Sequence, residues 1–334
     1  MTHKWTLGVD IGSVTAKFLL LDECKQVRFD SYNRTQGDPI LALVSGLQEV
    51  QDAVPHGVEI AAVGTTGSGR QLAAAVLGAD VVKNEITAHA VGAQFWNPEV
   101  RTIIEIGGQD SKCIHLRNGD VADFAMNSIC AAGTGAFLDQ QAIRLQIPIE
   151  RFGQFALTAK QAVRIAGRCS VFAESDMIHK QQSGHDKASI CLGLCQALVR
   201  NYLCTVTGGK RLESPISFQG GVSYNGAILK CFQEALPDSH IVIPPHPTSC
   251  GALGAALLAQ PLADEKSSRF RGWTHPEYGV REERCLHCAN QCELLHLVSD
   301  SQVIARWGGR CGRNDWNSDQ RVSPFSSVLA ALEP

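Results

Sequence analysis

The sequence predicts an α/β chain with two lobes around a nucleotide cleft. Three observations carry that reading: short apolar strands alternate with longer helical runs, two glycine-rich hairpins repeat the same residue types, and a third glycine turn follows late in the chain. Strand signals fall at Trp5–Val9, Phe18–Leu21, Ile60–Gly64, Thr102–Ile106 and Ile216–Phe218. Helical runs fall near Pro39–Ala53, Gly135–Leu145 and Ala188–Val206, each too long for a strand. A first lobe is expected over residues 1–95, with some return of a C-terminal helix. The second is expected over 96–260, a polar linker over 261–284 and a cysteine-rich tail over 285–334.

The 334 residues are 44% hydrophobic, enough for two cores. A net charge of −3 without basic blocks argues against nucleic acid. No run reaches the ~20 apolar residues of a membrane helix, so no membrane partner is expected. The start carries no signal-peptide pattern. Thirteen cysteines, several at ligand-like spacing, fit metal or redox chemistry in a reducing compartment, which is read as the cytoplasm.

The first hairpin turn reads Asp10-Ile-Gly12-Ser13-Val-Thr15-Ala-Lys17. Such a turn offers backbone N–H groups and hydroxyls to phosphate oxygens; Asp10 suits hydrated Mg²⁺ and Lys17 neutralises phosphate. The second reads Glu105-Ile-Gly107-Gly108-Gln109-Asp110-Ser-Lys112. Repetition of strand, turn and strand points to duplicated halves. Asp10, Asp110 and Glu105 are the candidate catalytic carboxylates for ATP and Mg²⁺. Gly12, Ser13, Thr15, Lys17, Gly107, Gly108 and Gln109 would bind phosphate or order water. Gly220-Gly221 could lie against a nucleoside, because glycine permits close approach.

Cys130 and Cys169 each stand at an expected helix start, where the helix dipole favours a thiolate and a metal ligand. Two cysteines do not complete a four-thiolate iron–sulfur site, but a two-fold dimer would. Beyond Cys130, Gly133, Thr134 and Gly135 could approach the nucleotide, so one segment would touch both cluster and phosphates. In the tail, Cys285-x₂-Cys288-x₃-Cys292 and the later Cys311 are a metal-binding pattern suited to zinc or an iron–sulfur cluster. Cys24, Cys113, Cys191, Cys195, Cys204, Cys231 and Cys250 are read as core, and His89 as a satisfied buried histidine. Glu85 reads equally as a cleft carboxylate or a helix-start carboxylate.

Several segments resemble the ATPase activators of 2-hydroxyacyl-CoA dehydratases and the related benzoyl-CoA reductase ATPase subunits, the BadF/BadG/BcrA/BcrD family. They are Asp10–Lys17, Gly64–Arg70, Asn84–Ala90, Ile106–Lys112, Asn127–Leu138, Cys169–Ser175 and Gly251–Ala256, in order within roughly residues 5–260. The resemblance implies the actin-like (ribonuclease H-like) fold of the actin, hexokinase and heat-shock ATPase superfamily. It implies a homodimer sharing one [4Fe-4S] cluster on Cys130 and Cys169 of each subunit. ATP hydrolysis would then drive one low-potential electron, received from ferredoxin or flavodoxin, onto a partner. The partner would be a 2-hydroxyacyl-CoA dehydratase, an aryl-CoA reductase or a double-cubane-cluster protein. Glu105 stands where much of the family has Asp, and Thr248 where Gln is expected on the adenine side. The competing reading is a small-molecule kinase of amino-sugar type in the same superfamily, with Asp123 or Asp139 as base.

Overall fold

The apolar strands pair into two five-stranded sheets of one design. A computed structural model describes residues 3–127, 133–167, 169–265, 267–273 and 276–317. β1 (His3–Ile11) turns into antiparallel β2 (Thr15–Leu21), and β3 (Val27–Arg34) follows. After α1 (Pro39–Ala53), β4 (Val58–Thr66) lies parallel to β1, and α2 (Arg70–Leu77) leads to β5 (Val81–Val82). Asp38 caps α1 by accepting from the Leu41 N–H at 2.9 Å, ahead of Pro39, whose missing N–H costs nothing in a first turn.

The chain then repeats the plan. α3 (Glu85–Trp96) leads to β6 (Thr102–Ile106), β7 (Ser111–Arg117) and β8 (Asp120–Met126). Next come α4 (Gly135–Leu145), α5 (Ile149–Ala156), α6 (Ser170–Gln182) and α7 (Lys187–Asn201), which a π-helical turn extends over Tyr202–Val206. β9 (Ile216–Gln219), α8 (Gly226–Ala235), β10 (Ile241–Val242) and α9 (Cys250–Ala259) complete it. The sheets run β3-β2-β1-β4-β5 and β8-β7-β6-β9-β10, strand for strand the same order. The duplicated α/β halves predicted from the two hairpins are therefore present.

The divisions differ from those expected. Residues 1–12, 16–84 and 255–334 form one unit, and 13–15 and 85–254 the other. α3 belongs with the second unit because small residues let backbones touch: a methyl on Gly92 would strike the Cys250 carbonyl, and one on Gly254 the Ala88 carbonyl. The expected linker is structured. It contains α10 (Leu262–Glu265) and β11 (Tyr278–Arg284), and residues between them strap onto the first unit. Ser268 Oγ bonds Asp80 Oδ2 at 2.9 Å, the Arg269 N–H bonds Asp80 Oδ1 at 3.0 Å, and the Arg271 N–H bonds the Leu77 carbonyl at 2.9 Å. β12 (Glu293–Ser299), β13 (Gln302–Trp307) and β14 (Trp316–Asn317) join β11 in a four-stranded sheet. Leu297 and Ala305 are buried in the same core as Leu7, Val9, Val76 and Leu77, so the tail sheet is part of the first unit.

Two composition readings also change. Lys187–Val206 is a 20-residue helical stretch of mean hydropathy 1.3, long and apolar enough to cross a membrane, yet 67% of it is buried. It is the core helix of the second unit, contributing Ile190, Leu194, Leu198 and Tyr202. Cys113, Cys191, Cys195, Cys231 and Cys250 are buried as expected, but Cys24 and Cys204 are exposed. Burial pushes the Cys113 thiol up to about 11 and Cys191 to about 12. These thiols remain protonated, apolar packing elements at neutral pH.

Gly64 on β4 shows how little space the first unit leaves, since a methyl there would overlap the Ala255 carbonyl of α9. Gly64→Ala is expected to lower stability by about 1–3 kcal/mol, read from urea unfolding.

Candidate nucleotide and electron-transfer site

In the first unit β1 ends on a carboxylate. Asp10 is 4% exposed and stands opposite Lys17 in the β1–β2 register; Lys17 Nζ donates to Asp10 Oδ2 at 3.1 Å. The turn after β4 folds over this strand end. The Gly69 N–H donates to the Ile11 carbonyl at 2.8 Å. Gly67, at φ +91°, lies so close that a methyl would strike the Ile11 carbonyl and sit 2.5 Å from Asp10 Oδ1. The Gly67-Ser-Gly69 segment therefore covers the carboxylate with backbone alone. Gly12 and Ser13 form the hairpin turn, with Ser13 exposed and Thr15 buried.

The second unit repeats this arrangement. Glu105 stands opposite Lys112 in the β6–β7 register, as Asp10 stands opposite Lys17. The turn after β9 lies over the strand end: Gly220, at φ +85°, would put a methyl into the Ile106 carbonyl and 2.8 Å from Glu105 Oε1. The sequence suggested a nucleoside contact for Gly220-Gly221; the fold shows the turn to be the counterpart of Gly67–Gly69. That equivalence is invisible in sequence because the two turns share only their glycines.

Lys112 is the centre of this half. Its Nζ lies 2.9 Å from Glu85 Oε2, 3.0 Å from Glu105 Oε2 and 3.0 Å from Asp110 Oδ2, with the side chain 4% exposed. Burial alone would pull the ammonium down; the charges of Glu105, Asp110 and Glu85 outweigh it and hold Lys112 above the usual lysine value. Its stabilising contribution is thus complete through neutral pH and is lost only as pH rises beyond the ordinary lysine range. Glu85 opens α3, as its helix-start reading has it, and its side chain pairs with Lys112. Three carboxyl groups thus surround one ammonium. His89 is buried, with Nδ1 2.8 Å from Gln219 Oε1.

α4 stands on the second hairpin. The Gly107 N–H closes the turn on the Asp110 carbonyl at 3.0 Å, and the Gly135 and Ala136 N–H groups donate to the carbonyls of Gly107 and Gly108, each at 2.8 Å. Thr134 is the buried N-cap. Cys130 lies outside the described residues. Cys169 is the N-cap of α6, half-buried, with no side-chain cap bond. Asn201 stands at the start of the π-helical turn. A methyl on Gly133 would sit 2.8 Å from its Oδ1, and its Nδ2 donates to the Gly167 carbonyl at 2.6 Å. Tyr202 Oη next to it donates to the Lys112 carbonyl at 2.8 Å. Nothing in the sequence marked Asn201, since its role depends on contacts with Gly133 and Gly167, distant in the chain.

The remaining candidates lie elsewhere. Asp123 is exposed on β8 and pairs with Lys210; that bond holds its carboxyl below the usual range, which disfavours a general-base role. Asp139 lies on α4. Cys285, Cys288, Cys292 and Cys311 fall at one end of the C-terminal sheet. Among the described residues, no three His, Cys, Asp or Glu side chains are gathered as a metal-holding group. Lys112→Met would leave three carboxylates without their cation and is expected to destabilise the protein by about 3–5 kcal/mol, read from denaturant unfolding at pH 7.

Residues 7–259 match the BadF/BadG/BcrA/BcrD ATPase family. The (R)-2-hydroxyglutaryl-CoA dehydratase activating ATPase of Acidaminococcus fermentans is 34% identical over 256 residues, covering 76% of this chain and 96% of its own. The activator of lactoyl-CoA dehydratase of Anaerotignum propionicum is 31% identical over 271 residues, covering 78% of this chain and 100% of its own. A solved activator of the 2-hydroxyisocaproyl-CoA dehydratase from Clostridium difficile, with bound ADPNP, superposes with a TM-score of 0.72 at 31% identity, over 78% of this chain and 96% of that one. With the duplicated sheets, the paired carboxylate–lysine hairpins and this match over most of its length, the chain belongs to the BadF/BadG/BcrA/BcrD ATPase family and has its actin-like α/β fold.

Proposed function

We propose that this protein is an ATP-driven one-electron donor that activates an iron–sulfur partner enzyme, of the 2-hydroxyacyl-CoA dehydratase or aryl-CoA reductase class. The observation that carries it is the direct bonding of the first N–H groups of α4 to the carbonyls of Gly107 and Gly108. A turn suited to phosphate and the helix that follows Cys130 therefore cannot move independently.

MgATP is the substrate. Gly12, Ser13 and Thr15 offer backbone and hydroxyl donors to its phosphates, and Lys17 offers charge. Gly107, Gly108 and Gln109 do the same from the second hairpin, with Gly133, Thr134 and Gly135 next in line. Asp10, Glu105 and Asp110 would hold hydrated Mg²⁺. Gly220 fixes the reach of Glu105 by backbone cover, and Gly221 follows it in the same turn. Charge placement of this kind supplies most of the catalysis in phosphoryl transfer.

Cys130 and Cys169 of two subunits would ligate the shared [4Fe-4S] cluster. Cys169 fits a ligand: its thiol is accessible at the positive end of a helix 13 residues long. Val171 and Phe172 beside it are 67% and 66% exposed, an apolar surface suited to a second copy of the chain. When bound, the cluster would supply one low-potential electron, taken from ferredoxin or flavodoxin and passed to the partner. Asn201 bonds the segment before Cys169 and packs closely on Gly133, and Tyr202 beside it bonds the second hairpin, so a change at the phosphate turn would reach the Cys169 arm through this helix.

The test is iron and acid-labile sulfide in anaerobically purified protein. About one four-iron cluster per dimer is expected, with loss of that iron in Cys169→Ser and MgATP hydrolysis retained. An iron-free protein after reconstitution, or unchanged iron in Cys169→Ser and Cys130→Ser alike, would contradict the reading.

A further inference from the structure

The four tail cysteines have no part in the reading above, yet the fold brings their backbones to one end of the C-terminal sheet. The β11–β12 register ends at Arg284 opposite Glu293, and the next pair continues it: the Cys285 N–H donates to the Cys292 carbonyl at 2.8 Å. Directly opposed residues have Cβ atoms about 4.5–5.5 Å apart. The intervening turn carries Cys288 and closes with the Gln291 N–H on the Cys288 carbonyl at 3.2 Å.

Cys311 arrives from the other side. β13 runs antiparallel to β12, and Gly308 at its exit has φ +106°. A methyl on Gly308 would collide with the Glu293 carbonyl, so glycine is what lets this exit lie against the start of β12. Two residues on, the Arg310 N–H points at Cys292 Sγ at 3.5 Å, and Asn314 Nδ2 donates to Cys285 Sγ at 3.2 Å. Arg306 Nε, bonded to the Asn314 carbonyl at 2.7 Å, fixes the loop. N–H donors aimed at sulfur are the outer-shell support that a metal-bound thiolate uses. His296, the nearby imidazole, instead lies 3.4 Å from Glu283 Oε2.

We propose that Cys285, Cys288, Cys292 and Cys311 form a tetrathiolate site for a single zinc ion that pins the β11–β12 turn to the loop after β13. The C-x₂-C spacing matches structural zinc sites, whose Zn–S bonds of ~2.3 Å span a directly opposed cysteine pair. The four thiols are in no disulfide and, among the described residues, no three of them are gathered, so the ion would draw them together. The site stands or falls independently of the electron-donor reading, because it shares no residue with it.

The full-length chain, wild type and Cys169→Ser, would be analysed for zinc and iron and titrated with Co²⁺. About one zinc per chain in both is expected. Co²⁺ should give thiolate-to-cobalt charge-transfer absorption, and Cys288→Ser and Cys311→Ser should each lose it together with most of the zinc, with MgATP hydrolysis unchanged. Absence of that absorption in the wild-type chain overturns the site without reliance on any variant. Zinc retained in a Cys288→Ser, Cys311→Ser double variant overturns it too. Iron and sulfide in the Cys169→Ser chain that disappear with Cys288 or Cys311 would replace the single ion by a cluster.

Discussion

A carboxylate at the end of a central strand, paired with a lysine across a hairpin and roofed by glycine, is the constraint on which both units are built. Burying such charges is unfavourable unless each has its partner. Asp10 has Lys17, and Glu105 has Lys112. The roof must be backbone, because Gly67 and Gly220 press on the carbonyl and carboxylate of their strand ends. The halves are not identical. Lys17 pairs with Asp10, and Lys112 is ringed by Glu85, Glu105 and Asp110. The duplication thus keeps the hairpin geometry while the second hairpin gathers Glu85 and Asp110 beside the strand-end carboxylate.

The second hairpin is also where chemistry and mechanics meet. α4 takes its first-turn acceptors from the Gly107 and Gly108 carbonyls instead of leaving those N–H groups to water. Asn201 then bonds Gly167 and packs closely on Gly133 at a π-helical turn, an irregularity that recurs at functional positions in helices. Its amide donates to the Gly167 carbonyl while its Oδ1 accepts from Thr205 Oγ1 one turn on, so the side chain is fixed on its own helix and against one segment. The consequence for the proposed electron donor is that the segment before Cys169 is bonded to the helix whose Tyr202 bonds the second hairpin.

Legibility in the sequence followed burial. β1, β4, β6 and β9 are buried on both faces and read as continuous apolar runs. β3 and β8 carry no clear strand signal because they are sheet edges, half-exposed over Val27–Arg34 and largely exposed over Asp120–Met126, where charge mixes with apolar residues. β11 was taken for linker for the same reason: Tyr278–Arg284 is largely exposed and highly charged, and only its partner β12 makes it a strand. At the site, Asp10, Lys17 and the glycine turns were legible because their spacing is local. The grouping of Glu85, Glu105 and Asp110 around Lys112 was not, since Glu85 comes from another element. Cys24 and Cys204 misled because free cysteines are so often core, and composition alone does not distinguish the exposed ones.

The proposed role gives each hairpin a part in nucleotide binding, so the most direct measurement is calorimetric binding of MgADPNP to Asp10→Asn and Glu105→Gln beside the wild-type chain. Each substitution keeps shape and removes charge. A loss of affinity of at least about tenfold, ~1.4 kcal/mol, in both variants is the predicted result. Wild-type affinity in either correctly folded variant would contradict the equivalence of the two halves.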